Sequence, residues 1–232
     1  MLSCLLVFGV GAVAQTGPGQ LLIYLQSEWE ERSVAIGRRF VDADGDTIRL
    51  KKVSYYLSQL ALLDEKGEWV ELSGTYLYDL SDRRSGILRM DEVPAGNYQA
   101  IRFQVGLDSL AQAATDYQGA LDPVKGMFWT WNTGYINAKL EGAIAQSGEP
   151  EREVTLHLGG YRQPFATAHE VVLITSIRIA EGKAGRMQIV TDLSEWLGEN
   201  GLTDGEWKIM GPGKEAFEIS RRVEDSFFVK IP

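Results

Sequence analysis

A long run of alternating apolar residues constrains the fold of this chain more than any other feature. Within residues 47–63, apolar side chains take every second position over three short stretches, and the phase slips between residues 50 and 53 and again between 57 and 60. Alternation with a period of two is typical of a strand with one buried face, and a slip in phase indicates a bulge or bend. The run therefore predicts one long strand that bends twice and serves two parts of a curved sheet.

Similar alternation recurs along the rest of the chain. The further runs lie at residues 97–105, 136–140, 154–158 and 171–179, with Gly-, Pro- and Asp-rich turns between them. Helix signals are short: Asp108 precedes one candidate helix and Asp192, with Glu195 three residues on, precedes another. Many short strands with few helices predict an all-β fold, namely an antiparallel β-sandwich with a few short helices and a loop-rich C-terminal tail beyond Gly201. Residues 15–232 are predicted to form a single domain.

The overall charge excludes one class of partner. The 232 residues carry a net charge of −9 at pH 7. Because nucleic-acid binding requires a basic surface that neutralises phosphates, we expect no nucleic-acid partner. No stretch is long and apolar enough for a transmembrane helix, so no membrane span is expected either.

The N-terminus has the pattern of an export signal. An apolar run at residues 5–10 precedes Ala12-Val13-Ala14, which has the small-x-small form of a cleavage site. Residues 1–14 are therefore predicted to be a signal peptide, and the mature protein is expected in the periplasm or outside the cell. The single cysteine, Cys4, lies before the apolar run instead of after it, so we favour cleavage over lipoprotein anchoring. One thiol forms no disulfide within the chain.

The segment 127–135 reads Met-Phe-Trp-Thr-Trp-Asn-Thr-Gly-Tyr and holds five large soft or aromatic side chains in nine positions. If it is extended, Met127, Trp129 and Trp131 face one way and Phe128 the other. Such a cluster is either a heavy piece of core or the wall of a site for soft ligands. The sequence leaves both interpretations open.

The chain has two histidines, His157 and His169. His157 alternates with apolar residues, which predicts that it lies on the polar face of a strand. A neutral imidazole there either binds a borderline or soft metal or forms an ordinary hydrogen bond. His169 precedes a strand, and no role is assigned to it. A tetrahedral Cys/His zinc site is not available from this composition.

No catalytic motif is present. The chain has no Gly-x-Ser-x-Gly elbow, no phosphate-binding loop and no Gly-x-Gly-x-x-Gly segment. The acidic segment 42–46 has glycine at its fourth position and Val53 at its twelfth, so it departs from a calcium loop and is interpreted as a turn. The sequence predicts that the protein is not an enzyme.

Taken in order, the motifs resemble those of the MbnP-like family, the methanobactin-associated periplasmic copper-binding proteins and their relatives. The most specific part is the Met-aromatic-Trp-x-Trp segment followed by Leu140-Glu141-Gly142. Supporting matches lie at residues 45–48, 53–62, 76–80, 94–98, 103–108, 121–123 and 157–160. The resemblance covers most of the mature chain.

The resemblance implies an exported β-sandwich that binds copper. By position, His157 matches a His-Leu-Gly motif as a candidate ligand. Trp129 or Trp131 matches a tryptophan that some members carry as kynurenine, formed by a di-haem peroxidase-like partner enzyme. Met127 adds a thioether, which Cu(I) accepts alongside imidazole. The expected metal site is therefore His157, Met127, Trp129 and Trp131, with copper as the cofactor.

A rival interpretation belongs to a different functional class. On that view the chain is a non-catalytic structural or interaction module, the segment 127–135 is simply core, and the partner is a protein or a glycan. Flat indole rings stack on sugars, but most of the six tryptophans are scattered along the chain. The two interpretations differ in whether the protein takes up copper.

Overall fold

The computed structural model describes residues 17–41, 45–113, 117–129, 134–146, 148–198 and 207–230. The predicted signal peptide, Cys4, most of the acidic segment 42–46 and Trp131 lie outside these ranges. The strands are β1 (Pro18–Trp29), β2 (Arg32–Ser33), β3 (Arg39–Val41), β4 (Thr47–Asp64), β5 (Trp69–Glu71), β6 (Tyr76–Asp79), β7 (Ile87–Pro94), β8 (Gly96–Val105), β9 (Phe128–Trp129), β10 (Gly134–Ala145), β11 (Arg152–Gly159), β12 (His169–Ile179), β13 (Ala184–Asp192), β14 (Lys208–Ile209) and β15 (Phe227–Lys230).

The α-helices are α1 (Ser109–Ala113), α2 (Leu193–Leu197) and α3 (Lys214–Asp225), with short 3-10 turns at Arg83–Gly86, Gly119–Leu121 and Pro123–Lys125. Both predicted caps are confirmed. The Asp108 carboxylate accepts a hydrogen bond from the Ala111 amide, and Asp192 accepts one from the Ser194 amide. None of the helices in the described ranges has the length and apolar character needed to cross a bilayer.

The strands form two sheets. The smaller sheet has the order β15-β13-β1-β2, with β7 also paired to β1. The larger one has the order β12-β8-β4-β10-β11-β14, and β3, β5, β6 and β9 pair with its central strands. Apolar side chains from both sheets, such as Ile23 and Ile189 from the smaller and Phe103 and Leu156 from the larger, meet in one buried core. The predicted β-sandwich is confirmed.

Strand β4 is continuous over 18 residues and contains the two predicted irregularities. Its pairing with β10 shifts between Lys52 and Leu50, and its pairing with β8 shifts between Ser58 and Ala61. Gln59, inside the second shift, has φ of 50°, a left-handed conformation that is uncommon outside glycine and typical of a bulge or turn. Each shift returns the following apolar residues to the core-facing side.

Two pairs of strands depart from the expected antiparallel arrangement. β1 runs parallel to β13, and β11 runs parallel to β14. Antiparallel neighbours are typical where a short hairpin joins two strands, whereas strands far apart in sequence are free to pair in either direction. Both parallel pairs join distant parts of the chain, which the local pattern of alternation cannot reveal.

The prediction of a loop-rich C-terminal tail is wrong for residues 207–230. That part contains β14, the helix α3 and the strand β15. Ala216, Ser220 and Val223 form the buried stripe of α3, at a spacing that suits a helix. The helix packs against β11, β12 and α2. This helix was not predicted from the sequence, because a stripe of one alanine, one serine and one valine is only weakly apolar.

His169 joins α3 to β12 through a buried hydrogen bond. Its Nε2 lies 2.7 Å from Ser220 Oγ, and the Ser220 hydroxyl donates to the Phe217 carbonyl. Because that hydroxyl has one proton, Nε2 must be the donor to Ser220 Oγ. Its Nδ1 lies 3.6 Å from Glu224. These contacts of His169 with Ser220 and Glu224 link β12 to α3. Ser220 is only 3% exposed, so its hydroxyl is not an accessible nucleophile.

Burial, together with the nearby Arg221, lowers the pKa of His169 from 6.5 to about 4. The unfolded chain therefore takes up a proton before the folded chain as the pH falls. We expect the free energy of unfolding to decrease between pH 6.5 and pH 4, with His169 accounting for on the order of 2 to 3 kcal/mol.

Urea unfolding of the wild type and His169→Gln at pH 7 and pH 4 measures this contribution. The glutamine keeps an N–H donor and loses the titration, so its stability should fall less between the two pH values. Ser220→Ala is the control, since it removes a hydrogen bond at a cost of about 1 to 2 kcal/mol but keeps the imidazole. Equal losses in the wild type and His169→Gln would show that the imidazole contributes nothing to the acid sensitivity.

Candidate functional site

The large sheet carries a second apolar cluster on the face turned away from the sandwich core. Its buried members are Tyr56, Leu107, Met127, Trp129, Tyr135 and Ile136. Tyr56 neighbours Tyr55 on β4, and since Tyr55 belongs to the main core, Tyr56 points to the opposite face. The segment 117–129 lies over this face and provides the outer cover. The sandwich is therefore thickened locally by a third layer.

Met127 and Trp129 both belong to this outer cluster, as their predicted common orientation requires. Met127 is fully buried and Trp129 is 5% exposed, whereas Phe128 between them is only partly buried. Strand β9 pairs Trp129 with Gly134 and Phe128 with Tyr135. Trp131 lies outside the described residues. Met127 and Trp129, the two members that can be placed, are therefore both buried in an apolar cluster, and Trp129 also lines a cavity.

Trp129 lies against β11 at a glycine. A Cβ atom on Gly159 would come within 2.7 to 2.8 Å of the Trp129 ring and within 2.8 Å of the Tyr135 carbonyl oxygen. Since residues 157 and 159 point to the same face of β11, the indole ring lies on the face that carries His157. The structure thus brings Trp129 and His157 onto one face of the large sheet.

His157 is held by a carboxylate on the neighbouring strand. It is 8% exposed, and its Nε2 lies 2.7 Å from Glu141 Oε1 on β10. A carboxylate only accepts, so Nε2 carries the proton and donates it to Glu141. Nδ1 then keeps its lone pair, and it makes no hydrogen bond to the described residues. Glu141, part of the Leu140-Glu141-Gly142 motif, is the group that fixes this imidazole.

Lys139 is the residue that sequence reasoning missed. It lies directly opposite His157 in the strand register, and its Nζ is 3.7 Å from Glu141 Oε1. Its Nζ also donates to the Gly126 carbonyl at 2.6 Å, next to Met127 in the chain. The side chain therefore links the His157 strand pair to the outer cluster. The sequence does contain a hint of this role, because two charged residues, 139 and 141, occupy alternate positions in an otherwise apolar strand.

Burial is the main reason that the imidazole of His157 favours its neutral form. Burial lowers the pKa of His157, the Lys139 ammonium lowers it further, and the hydrogen bond to Glu141 acts in the opposite direction. Burial also lowers the pKa of Lys139, with Glu141 opposing and Lys52 adding to the decrease. A neutral imidazole is the form that binds metals. The site therefore presents a deprotonated nitrogen beside one carboxylate and one ammonium.

The donor set around His157 is small. Among the described residues, no three His, Cys, Asp or Glu side chains lie close enough together to hold a metal ion. His157 and Glu141 form a pair, and Met127 is the remaining soft donor on this face. His169 lies elsewhere, bonded to α3 through Ser220. Of the predicted ligands, the structure brings Met127, Trp129 and His157 into one region, and direct ligation stays a prediction.

A cavity of about 360 Å³ lies next to the outer cluster. Trp129 and Tyr135 form one side of it, the loop after β11 with Tyr161 and Phe165 forms another, and Pro212 before α3 closes a third. His157 does not line this cavity. Trp129 therefore lines a partly open cavity and also packs over Gly159 on the face of β11 that carries His157.

The position of Trp129 over Gly159 can be tested by adding a single methyl group. Gly159→Ala should displace the indole or the β10 backbone and lower the free energy of unfolding by roughly 1 to 3 kcal/mol. Gly96→Ala is the matched control at the start of β8, where the nearest atom to a new Cβ lies at 3.8 Å.

Tryptophan fluorescence and urea unfolding of both variants would report the change. A shifted emission spectrum is expected for Gly159→Ala alone. If both alanine variants match the wild type in spectrum and stability, Trp129 does not pack over this glycine.

Comparison with known proteins agrees with this architecture. The model of the MbnP family matches residues 18–211. Among solved structures, MbnP from Methylosinus trichosporium superposes with a TM-score of 0.54 at 18% sequence identity, over 78% of this chain and 77% of that chain. At that identity the likeness shows the fold alone, and no curated protein matches the sequence. Because the family match runs from β1 through β14, the chain belongs to the MbnP family.

Proposed function

We propose that this protein is an exported, non-catalytic member of the MbnP family that binds one copper ion at His157. The observation that carries the proposal is a buried, neutral imidazole whose Nε2 is fixed by Glu141 at 2.7 Å. Metal-ligating histidines commonly donate their second N–H to a carboxylate in this way. Nδ1 of His157 is then the candidate donor atom.

The donor atoms indicate the oxidation state of the ion. Lys139 places an ammonium 3.7 Å from the Glu141 carboxylate, so a cation bound here meets one positive and one negative group whose effects oppose each other. Imidazole and thioether donors suit a soft ion. The residues therefore fit Cu(I), with Met127 as the second candidate ligand.

The aromatic residues have a supporting role in this proposal. Trp129 covers Gly159, two residues from His157 in β11, and so adds an apolar ring to the face that carries the imidazole. Copper bound there supplies a soft Lewis-acidic centre, and the surrounding chain supplies orientation and low polarity. Trp131, outside the described residues, is the remaining candidate of the set.

The proposal extends to a partner. Trp129 or Trp131 is the candidate for oxidation to kynurenine by a di-haem peroxidase-like enzyme, in the periplasm or outside the cell. Trp129 is 5% exposed and lines the cavity, so a route to its ring exists from that side. Peptide mass spectrometry of protein from the native source identifies the modified tryptophan, and unmodified residues at both positions would remove this part of the proposal.

A second candidate function has one observation in its favour. Lys139 neutralises the same carboxylate that holds His157, which is also what a purely structural ion network would do. On that view the outer layer is a scaffold that binds another ligand or a protein. Copper uptake separates the two candidates.

We expect the metal-free protein to take up about one equivalent of Cu(I) in a competition titration with a chromophoric chelator under reducing conditions, a stoichiometry set by the one imidazole at the site. His157→Ala should lose this uptake, and His169→Gln, which changes the other imidazole, should retain it. No uptake by the wild type, or equal uptake by wild type and His157→Ala, would eliminate the proposed site.

Lys139→Gln provides a second test, in which tighter binding is expected. Removing the ammonium while adding no sulfur should tighten copper binding by roughly fivefold, since a nearby unit charge contributes on the order of 1 kcal/mol. The affinity of the wild type should rise with pH, whereas that of the variant should change less. Weaker binding by a folded Lys139→Gln protein would show that the ammonium does not oppose the bound cation.

A further inference from the structure

The cavity beside Trp129 has the size of a small-molecule site. Its volume is about 360 Å³, within the range typical of ligand pockets, roughly 300 to 1,000 Å³. It lies where the loop after β11, the start of α3 and the β9–β10 corner meet. Neither His157 nor Glu141 lines it, so the cavity is distinct from the imidazole pair, although Trp129 is part of its wall.

Four aromatic rings line the cavity. They are contributed by Trp129, Tyr135, Tyr161 and Phe165, with Pro212 beside them. Tyr161 and Phe165 are each 37% exposed, so both retain apolar surface for a ligand. Burying that surface against a second flat ring is favourable, and aromatic pairs add to the gain.

Several of these walls are fixed in place. The Tyr135 hydroxyl donates to the Leu121 carbonyl at 2.9 Å, and the Tyr135 amide donates to the Gln112 side chain at 2.7 Å. Phe165 packs on Phe217 of α3, with ring centroids 6.2 Å apart. A preformed wall lowers the entropic cost of binding, because fewer side chains must be ordered.

The cavity lining includes one cationic side chain, Arg162, and two glutamines, Gln112 and Gln163. Gln112 uses its amide within the protein, accepting from Tyr135 and donating to Asn137 at 2.9 Å. Arg162 is exposed, its guanidinium carbon lies 5.7 Å from the centroid of the Tyr161 ring, and no ion pair joins it to a carboxylate of the described residues. In a chain of net charge −9, an arginine without an acidic partner is available to an anion.

The start of α3 contributes in the same direction. Gly213 lines the cavity and forms the N-cap of this 12-residue helix without a side-chain hydrogen bond. The first N–H groups of a helix carry partial positive charge. The helix start is expected to contribute less to ligand binding than the aromatic rings and Arg162.

We propose that the cavity binds a small planar aromatic carboxylate, with its ring against Trp129, Tyr161 and Phe165 and its carboxylate at Arg162. A sugar fits the polar groups less well, because its ring of hydroxyls needs more hydrogen-bond partners than Arg162 and Gln163 provide. This site does not depend on the proposed copper function.

Two probes that differ only in charge test the proposal. Naphthalene-2-carboxylate and naphthalene-2-carboxamide have the same ring, so a difference in affinity reports the ionic contact. Calorimetric titration of the full chain, with a copper chelator present throughout, should show one site that prefers the carboxylate by about tenfold, a difference of about 1.4 kcal/mol. Added salt should reduce the preference, since ion pairs near the surface are screened.

Variants assign the contacts. Arg162→Gln should bring carboxylate binding down to the level of the carboxamide, and Phe165→Ala should weaken both probes by similar factors. Arg38→Gln is the matched control, because Arg38 also lies near an aromatic ring, that of Phe40, outside the cavity. It should leave both affinities unchanged.

Three results would overturn the proposal: no saturable carboxylate binding up to about 1 mM, equal binding of both probes by the wild type, or an unchanged carboxylate affinity in folded Arg162→Gln. Saturable binding of a neutral oligosaccharide in place of the carboxylate would also overturn it. Because copper is chelated in every arm, failure of the Cu(I) titration leaves this experiment unaffected, and the reverse holds as well.

Discussion

Backbone hydrogen bonding along β4 is the constraint on which the rest of the structure depends. Where a residue of β4 pairs with two strands, those strands lie on opposite edges of β4. It follows that one edge of β4 pairs with β10 in its first half and with β8 in its second half. The other edge pairs in turn with β3, β6 and β5. A single-residue slip in a strand moves every later side chain to the other face. The two bulges of β4 are therefore what keeps Leu50, Val53, Leu57 and Leu60 all in the core.

That arrangement leaves the opposite face of β4 and β10 to be covered by something other than a second sheet. Tyr56 of β4 and Tyr135 of β10 are too large and apolar to face water, and the chain covers them with Leu107 and the segment that contains Met127 and Trp129. The cover ends where the strand surface becomes charged, at Lys139, Glu141 and His157. Burial next to this aromatic layer disfavours the charged forms of the neighbouring side chains. The pKa values of His157 and Lys139 are lowered for this reason.

Much of the fold could be predicted from the sequence, because alternation with a period of two is local information. It identified β4 with its two bulges, the strands β8 and β10 to β12, and the polar position of His157. The capping residues Asp108 and Asp192 were equally readable. The helix α3 was not, since its buried stripe of Ala216, Ser220 and Val223 is too weakly apolar, although Pro212 and Gly213 before it and Arg222 in its last turn are ordinary boundary signals.

The site was only partly predictable for a different reason. Cross-strand register decides which side chains become neighbours, and it depends on turns and bulges far from the residues concerned. Glu141 and Lys139 were visible as charges in an apolar strand, but only the pairing of β10 with β11 places Lys139 opposite His157. The cavity is less accessible still, because its walls come from three separate segments. No pattern within one segment indicates that they meet.

Trp129 is the physical connection between the two proposed sites. One part of its ring fills the space over Gly159 on the face that carries His157, and the residue also lines the cavity formed with Tyr161 and Phe165. Interiors are close-packed, so a rigid indole moved by a ligand on one side must change its contacts on the other. Any effect of one ligand on the affinity for the other must be mutual and of the same factor, because linkage between binding sites is reciprocal. Trp129 packs in the apolar outer cluster, covers Gly159 and lines the cavity, so a change in its position would alter all three sets of contacts.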